Sequence, residues 1–291
     1  MRVTKKITKE QKAILRGFKC QRLTADPDNE RLVYHFFSEK GGSLTGTLQE
    51  QAWKEDLAGT NAYYVVKNED NDILLFFSLK CGVLYNPNYF KKVEKEFQEA
   101  KILYLALKKG IGPQWALDYI EELRKADQLD FMSYKIRSRY FVLQDIYDKL
   151  ISEIETEQNQ KIVRVDKTHA GIELVHFCAN DWARDQWNSY GLGRSMGETL
   201  FWYFVVPKIL QVNRYIGCEY VYLFAADISE DGNLLNYYKN TLHFILPQDI
   251  GATKPQYDFW CTFMCQHLNS LKQHREEFIK TFNRLKTSES I

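Results

Sequence analysis

The chain has 291 residues, about twice a common domain length of ~150, which leaves one large domain with an insertion, or two domains. Hydrophobic residues at 45% and charged residues at 26%, with only 15 Gly and 6 Pro, exclude a disordered or collagen-like chain. The 39 Lys and Arg against 38 Asp and Glu leave a net charge of +1, which excludes a global field able to hold the chain on nucleic acid or an anionic membrane.

In chain order, MRVTKKITKEQK is basic but has no apolar stretch of the secretory kind, so a cytoplasmic protein is expected. A short helix is read over Thr8–Leu15, a strand over Phe18–Thr24 and a helix around Glu30–Phe37, before Gly41 and Gly42 break the chain. Thr47 and Glu50 form a T-x-x-E capping pattern for the next helix, with Trp53 and Leu57 on its apolar face. Ala62–Lys67 and Asp72–Cys81 are β-rich runs joined by four polar residues, which predicts an antiparallel hairpin.

From Tyr89 to Gln160 the pattern turns helical and rich in Lys, Glu, Leu and Tyr. Strand character returns at Ile162–Val165 and at Gly171–Ala179, apolar on both faces as in a covered central strand. A Gly-containing loop then opens a helix from about Arg194 to Ile216, with a kink expected near Phe204 because of Pro207. A strand over Cys218–Ala226, a helix over Asn233–Thr241, a strand over Tyr257–Cys265 and a charged helix packed on the outside complete the chain. The longest apolar runs, Leu200–Val206 and Tyr220–Ala226, fall far short of the ~20 residues that cross a bilayer. Cys261, Cys265 and His267 lie on a predicted strand without a second ligand pair, so no metal is expected.

The chemistry concentrates on Asn188-Ser189-Tyr190-Gly191-Leu192-Gly193-Arg194-Ser195. A loop entering a helix presents unpaired backbone N–H groups at the positive end of the helix dipole, a setting suited to a diphosphate. It lacks the third glycine of a dinucleotide fingerprint.

These residues, with the strand before them and Tyr237-Tyr-Lys-Asn-Thr-Leu-His-Phe244 after them, resemble the GNAT superfamily of acyl-CoA-dependent N-acyltransferases. That family has Q/R-x-x-G-x-G/A before a helix and a short later helix ending in F-Y-x-x-x-G-F. The segments FSEKGGSLTGTLQEQAWKED and FFSLKCG are similar to the branch of aminoacyl-tRNA-acetylating toxins, without its usual F-x-C-G. The resemblance covers roughly 18–82 and 162–266 and departs at Asn188, in place of Gln or Arg, and at His243, in place of Gly, where an altered turn is expected.

It implies an α/β fold with a mixed, mostly antiparallel sheet and a helical insertion between the third and fourth strands. Residues 1–88 and 161–291 would form the acyltransferase domain and 89–160 the insertion, placed to shape substrate choice or to pair subunits as a homodimer. It also implies acetyl-CoA as acyl donor and transfer of acetyl to a primary amine. An acceptor on charged tRNA stays open, although the neutral net charge argues against nucleic acid. A catalytically degenerate scaffold that keeps the fold is the alternative.

The resemblance assigns Tyr238 to protonating the leaving thiolate, with Tyr237 in that role if the alignment shifts by one. A phenol suits it, because a pKa of ~10 keeps it protonated. Glu173 is the candidate base, since a carboxylate in an apolar strand is costly unless it is paired or functional. By strict alternation His176 points away from Glu173, so the two meet only if a bulge intervenes. Phe177, Cys178, Ala179 and Asn180 would lend backbone groups to the pantetheine arm, and Asn233 would bind the cofactor or cap its helix.

Overall fold

The structure is a computed structural model describing residues 6–39, 41–86, 99, 102–103, 105–106, 109–127, 167–227, 231–253 and 261–283. The chain forms two compact units, one of Met1–Leu84 with His169–Ile291 and one of Tyr85–Thr168. The expected strand at Ile162–Val165 and most of the helical block lie outside the described residues. In the second unit, helix α5 (Gln114–Asp127) buries Ala116 and Ile120 with Ala106.

The first unit is built on a sheet of β1 (Lys19–Arg22), β2 (Ala62–Lys67), β3 (Ile73–Tyr85), β4 (Thr168–Ala179), β5 (Tyr220–Ala225), β6 (Gly251–Ala252) and β7 (Thr262–His267). Its order is β1-β2-β3-β4-β5-β7, with β6 beside β3. The pairs β1/β2, β2/β3 and β5/β7 are antiparallel and β4/β5 is parallel, the mixed, mostly antiparallel α/β arrangement expected. The β2/β3 hairpin forms where read, its turn closed by the Asp72 amide on Asn68 Oδ1 (2.7 Å) and by Asn71 at φ 68°.

Helices cover both faces. On one lie α1 (Lys9–Gly17), α7 (Met196–Leu200), α8 (Val206–Ile216), α9 (Asn233–Asn240) and α10 (Leu268–Lys280), packed on Leu75, Phe77, Leu174 and Leu223. On the other lie α2 (Asn29–Leu32), α3 (Gly42–Glu50) and α4 (Ala52–Ala58), with Phe36, Leu48 and Ala52 against Tyr63, Val65 and Phe76.

Several local expectations change. Thr47 sits inside α3, and its hydroxyl donates to the Ser43 carbonyl (3.0 Å) instead of capping α4. Leu57 faces solvent, and α4 buries Ala52 and Asp56 instead. Asp56 accepts from Arg22 Nε (2.5 Å), the Thr24 hydroxyl (2.7 Å) and the amides of Thr24 (3.1 Å) and Tyr63 (2.8 Å), which fastens α4 to β1 and β2. The last helix is not a surface appendage, because Leu268, Leu271 and Phe278 of α10 enter the main core with Phe282 beyond it. The break expected from Pro207 takes the form of a π turn over Phe201–Val205 joining α7 to α8. Proline has no N–H for the carbonyl four residues back, and the wider turn absorbs the missing bond.

Candidate functional site

Pairing between β4 and β5 runs only from Gly171↔Tyr220 to Glu173↔Tyr222, although β4 continues to Ala179 and β5 to Ala225. Beyond Glu173, β5 keeps its other neighbour, β7, through Ala225↔Thr262. At the far end of β4 the Asn180 amide still bonds the Leu74 carbonyl (2.9 Å) on the β3 side. The two parallel strands therefore part in the middle of the sheet, and their facing edges present peptide groups that a ladder would otherwise use.

Alternation also breaks within β4. Ile172 and Leu174 enter the main cluster, and so do Phe177 and Ala179, an odd step that marks a bulge between Leu174 and Phe177. The bulge turns His176 and Cys178 to the face that Glu173 occupies, so strict alternation misplaces them.

On that face Glu173 accepts from the Tyr222 hydroxyl at 3.3 Å. Burial pushes the Glu173 pKa up, while the Tyr222 hydroxyl and Lys80 pull it down. Tyr222 crosses Gly82, where a Cβ would meet its hydroxyl at 1.7 Å, so a side chain at this position would displace the Tyr222 ring. His176 bonds Ser78 Oγ through Nδ1 (2.7 Å) and stacks on Tyr63 at 5.4 Å, and Tyr63 in turn donates to Glu55 (2.8 Å). Burial drives the His176 pKa down to about 4, so the ring is neutral at physiological pH. Sequence reading missed Ser78, Tyr63, Glu55 and Tyr222, whose only signal was a polar atom at alternate positions of strands or on the helix beside them.

The glycine loop is shorter than expected. Asn188 and Ser189 belong to helix α6 (Arg184–Ser189), and the amides of Tyr190 and Gly191 bond Trp187 and Asn188 carbonyls (3.2 and 3.1 Å). The amides of Leu192, Gly193, Arg194 and Ser195 have no hydrogen-bond partner among the described residues, and Met196 and Gly197 open α7. Gly191 and Gly193 hold φ of +62° and +72°, with open space where a Cβ would stand. Leu192 is buried, so the loop is anchored by one apolar side chain while its amides stay open. Tyr190 packs on Phe18 (5.2 Å) and reaches Asn68 (3.4 Å).

The side chains of Asn180 and Arg194 are engaged within the protein. Asn180 donates to the carbonyls of Ile73 (2.7 Å) and His35 (3.2 Å) and accepts from the Phe37 (3.2 Å) and Trp182 (3.1 Å) amides. Arg194 points away from the loop and bonds Phe282 O, Thr281 O and Glu198. Asn233 is the first residue of α9 and not its cap, which is Gly232 at φ 63°.

Tyr238 is buried on α9, its ring 6.1 Å from Phe244. Burial pushes its pKa well up, with the Cys178 thiol near enough to add to the effect, so the phenol keeps its proton. The Cys178 thiol is likewise raised by burial, to about 11. The hydroxyl of Tyr237 lies over Gly197, 2.9 Å from where a Cβ would be, at the start of α7. His243 adopts φ 60°, so the left-handed conformation that glycine favours is kept without glycine.

Among the described residues no group of three or more His, Cys, Asp or Glu side chains could hold a metal ion, and no helix is long and apolar enough to cross a membrane. No family model and no curated protein matches the chain. Solved structures do. AtaT complexed with acetyl-methionyl-tRNAfMet is similar at 9% identity over 88% of this chain and 98% of that one, with a TM-score of 0.42. AtaTR bound with acetyl-CoA gives 10% identity, coverages of 89% and 98%, and a TM-score of 0.44. The KacTA–DNA complex gives 9% identity, coverages of 89% and 99%, and a TM-score of 0.45. Likeness at this level concerns the fold at most.

Proposed function

We propose that the chain is an N-acyltransferase taking acetyl-CoA as donor and a primary amine as acceptor. One observation carries the reading: β4 and β5 part after Glu173↔Tyr222, and the same β4 leads, through α6, to a loop of open amides at the start of α7. A slot bordered by unpaired peptide groups suits the amides of a pantetheine arm. The loop from Gly191 to Gly197 suits a diphosphate, because Gly191 and Gly193, both at positive φ, leave open space beside those amides. The cradle needs no lysine or arginine, since backbone amides and the helix dipole supply the positive potential.

Acetyl-CoA would supply a thioester carbonyl for an amine to attack. An amine of pKa ~10 is mostly an ammonium at neutral pH, so a group must take its proton. Glu173 suits that task, as its half-buried carboxylate holds a proton more readily than an exposed one. Tyr238 suits the opposite task, its phenol staying protonated until a thiolate leaves. His176 is neutral and fixed by Ser78, so on the face it shares with Glu173 it contributes a hydrogen bond and not a charge. The AtaT structures bear on substrate only through their own ligands, acetyl-CoA and an acetylated aminoacyl-tRNA. Carried to this chain, they make aminoacyl-tRNA one acceptor to include beside small amines.

The test is thiol release from acetyl-CoA, followed with and without a panel of amines and charged tRNA. Amine-dependent release is the expected result. Binding of acetyl-CoA with no release for any acceptor would favour a scaffold that has kept the fold.

A further inference from the structure

We propose that the Arg194 guanidinium does not ligate the donor but braces the Gly191–Gly193 loop against the C-terminal end of α10, so that donor affinity depends on a contact between segments far apart in sequence. The inference rests on the acetyl-CoA reading above for its effect on affinity, and on geometry alone for the brace itself.

The guanidinium is spent inside the protein. Its Nε donates to the Phe282 carbonyl at 2.7 Å, one terminal nitrogen to the Thr281 carbonyl at 2.9 Å and the other to Glu198 Oε1 at 2.9 Å. It lies 5.2 Å from the Phe278 ring centroid and 5.8 Å from that of Phe282, and its side chain is only 12% exposed. Thr281 is the C-cap of α10, so the charge stands at the negative end of that helix dipole and meets carbonyls the helix leaves unpaired. A planar fork with five N–H donors can meet two carbonyls and a carboxylate at once, and an ammonium cannot hold that geometry.

The loop is fastened by its other atoms too. The Arg194 carbonyl accepts from Trp187 Nε1 at 2.8 Å, which ties it to α6. The Leu192 carbonyl accepts from Gln11 Nε2 at 3.5 Å, and Gln11 in turn bonds Asn283 at 2.8 Å. Carbonyls and side chains of the loop thus face the helices around it, which leaves the amides of Leu192 to Ser195 as the groups turned to a ligand. Holding a loop in its bound shape beforehand raises affinity by removing the ordering cost from the binding step.

Arg194→Lys tests the brace, because it keeps the charge and removes the fork. The measurements are calorimetric titration with acetyl-CoA and hydrogen exchange of the 190–197 segment without ligand, with the β2/β3 hairpin as internal control. The brace predicts about tenfold weaker binding and faster loop exchange with an unchanged hairpin. Binding and loop exchange at wild-type levels in R194K would overturn it, as would weaker binding with unchanged exchange, the pattern of a direct phosphate contact. Phe282→Leu keeps the carbonyl and removes the ring under the guanidinium, so it should shift both readouts the same way by less, and no shift in either variant overturns the proposal. If wild type does not bind acetyl-CoA, the donor reading fails, and loop exchange in R194K alone decides the brace.

Discussion

Tyr222 donates its hydroxyl to Glu173 Oε2 at 3.3 Å, and the same two residues are the last to pair β5 with β4. The candidate base thus stands where the strands part, and the group that stabilises its charge stands across from it. Removing that donor in Tyr222→Phe raises the Glu173 pKa further, because the hydrogen bond favours the carboxylate. A base must be ionised to act, so the acid limb of kcat/KM against pH moves to higher pH in Y222F. Glu173→Gln should lower kcat about a hundredfold, the usual range for losing a general base. A Glu173→Gln enzyme with wild-type turnover would move the base elsewhere.

Tyr238→Phe removes a phenol that burial keeps protonated. Turnover should fall by about a hundredfold while the dissociation constant for acetyl-CoA changes by less than about threefold. Parallel measurement in Tyr237→Phe separates the two tyrosines, since the Tyr237 hydroxyl lies at Gly197, by the start of α7, and its loss should act on donor affinity first.

Burial holds His176 neutral with a pKa near 4, against ~6.5 in the unfolded chain. A depressed histidine pKa means the unfolded state takes the proton first, so stability is full above about pH 6.5 and falls as the pH drops toward 4. The loss from this one group reaches about 3 kcal/mol. Urea denaturation at pH 7 and pH 4.5 should show a steeper acid loss in wild type than in His176→Gln, and equal slopes would contradict the burial.

How far the sequence reveals this molecule varies by element. The hairpin is legible because Asn68–Asn71 carries turn chemistry between two β-rich runs, and β4 because an apolar run on both faces suits a covered strand. The bulge between Leu174 and Phe177 is hidden, since a period of two reads local alternation and a bulge is set by packing against neighbouring strands. That one extra residue decides that Glu173 and His176 share a face. Asn188 and Ser189 look like loop residues because helix propensity in Arg184–Ser189 is weak, and the helix is held by the contacts of the buried Trp187 with Phe18 and the Arg194 carbonyl. The Thr47 capping pattern fails for a similar reason, as α3 runs through it and buries Leu48.

Asp56 is 3% exposed and joins α4 to β1, the following turn and β2 through four hydrogen bonds. Asp56→Ala leaves Arg22, which is partly exposed, the Thr24 hydroxyl and two amides without their acceptor and should destabilise the fold by about 2–3 kcal/mol, mainly through the two amides. Thermal denaturation is the check, and a loss below about 1 kcal/mol would show that water replaces the carboxylate.

On the proposed reading, the open amides from Leu192 to Ser195 hold a diphosphate beside the parted strands. The test is calorimetric titration of wild type with acetyl-CoA, S-acetyl-4′-phosphopantetheine and S-acetyl-pantetheine, the last two differing only by a phosphate and both lacking the 3′-phosphoadenosine. The account predicts saturable one-site binding of acetyl-CoA and, for S-acetyl-pantetheine, affinity lower than that of S-acetyl-4′-phosphopantetheine by about a hundredfold or more, the worth of two charge-assisted hydrogen bonds. Equal affinity for these two analogues, or no heat from acetyl-CoA at millimolar concentration, would contradict it.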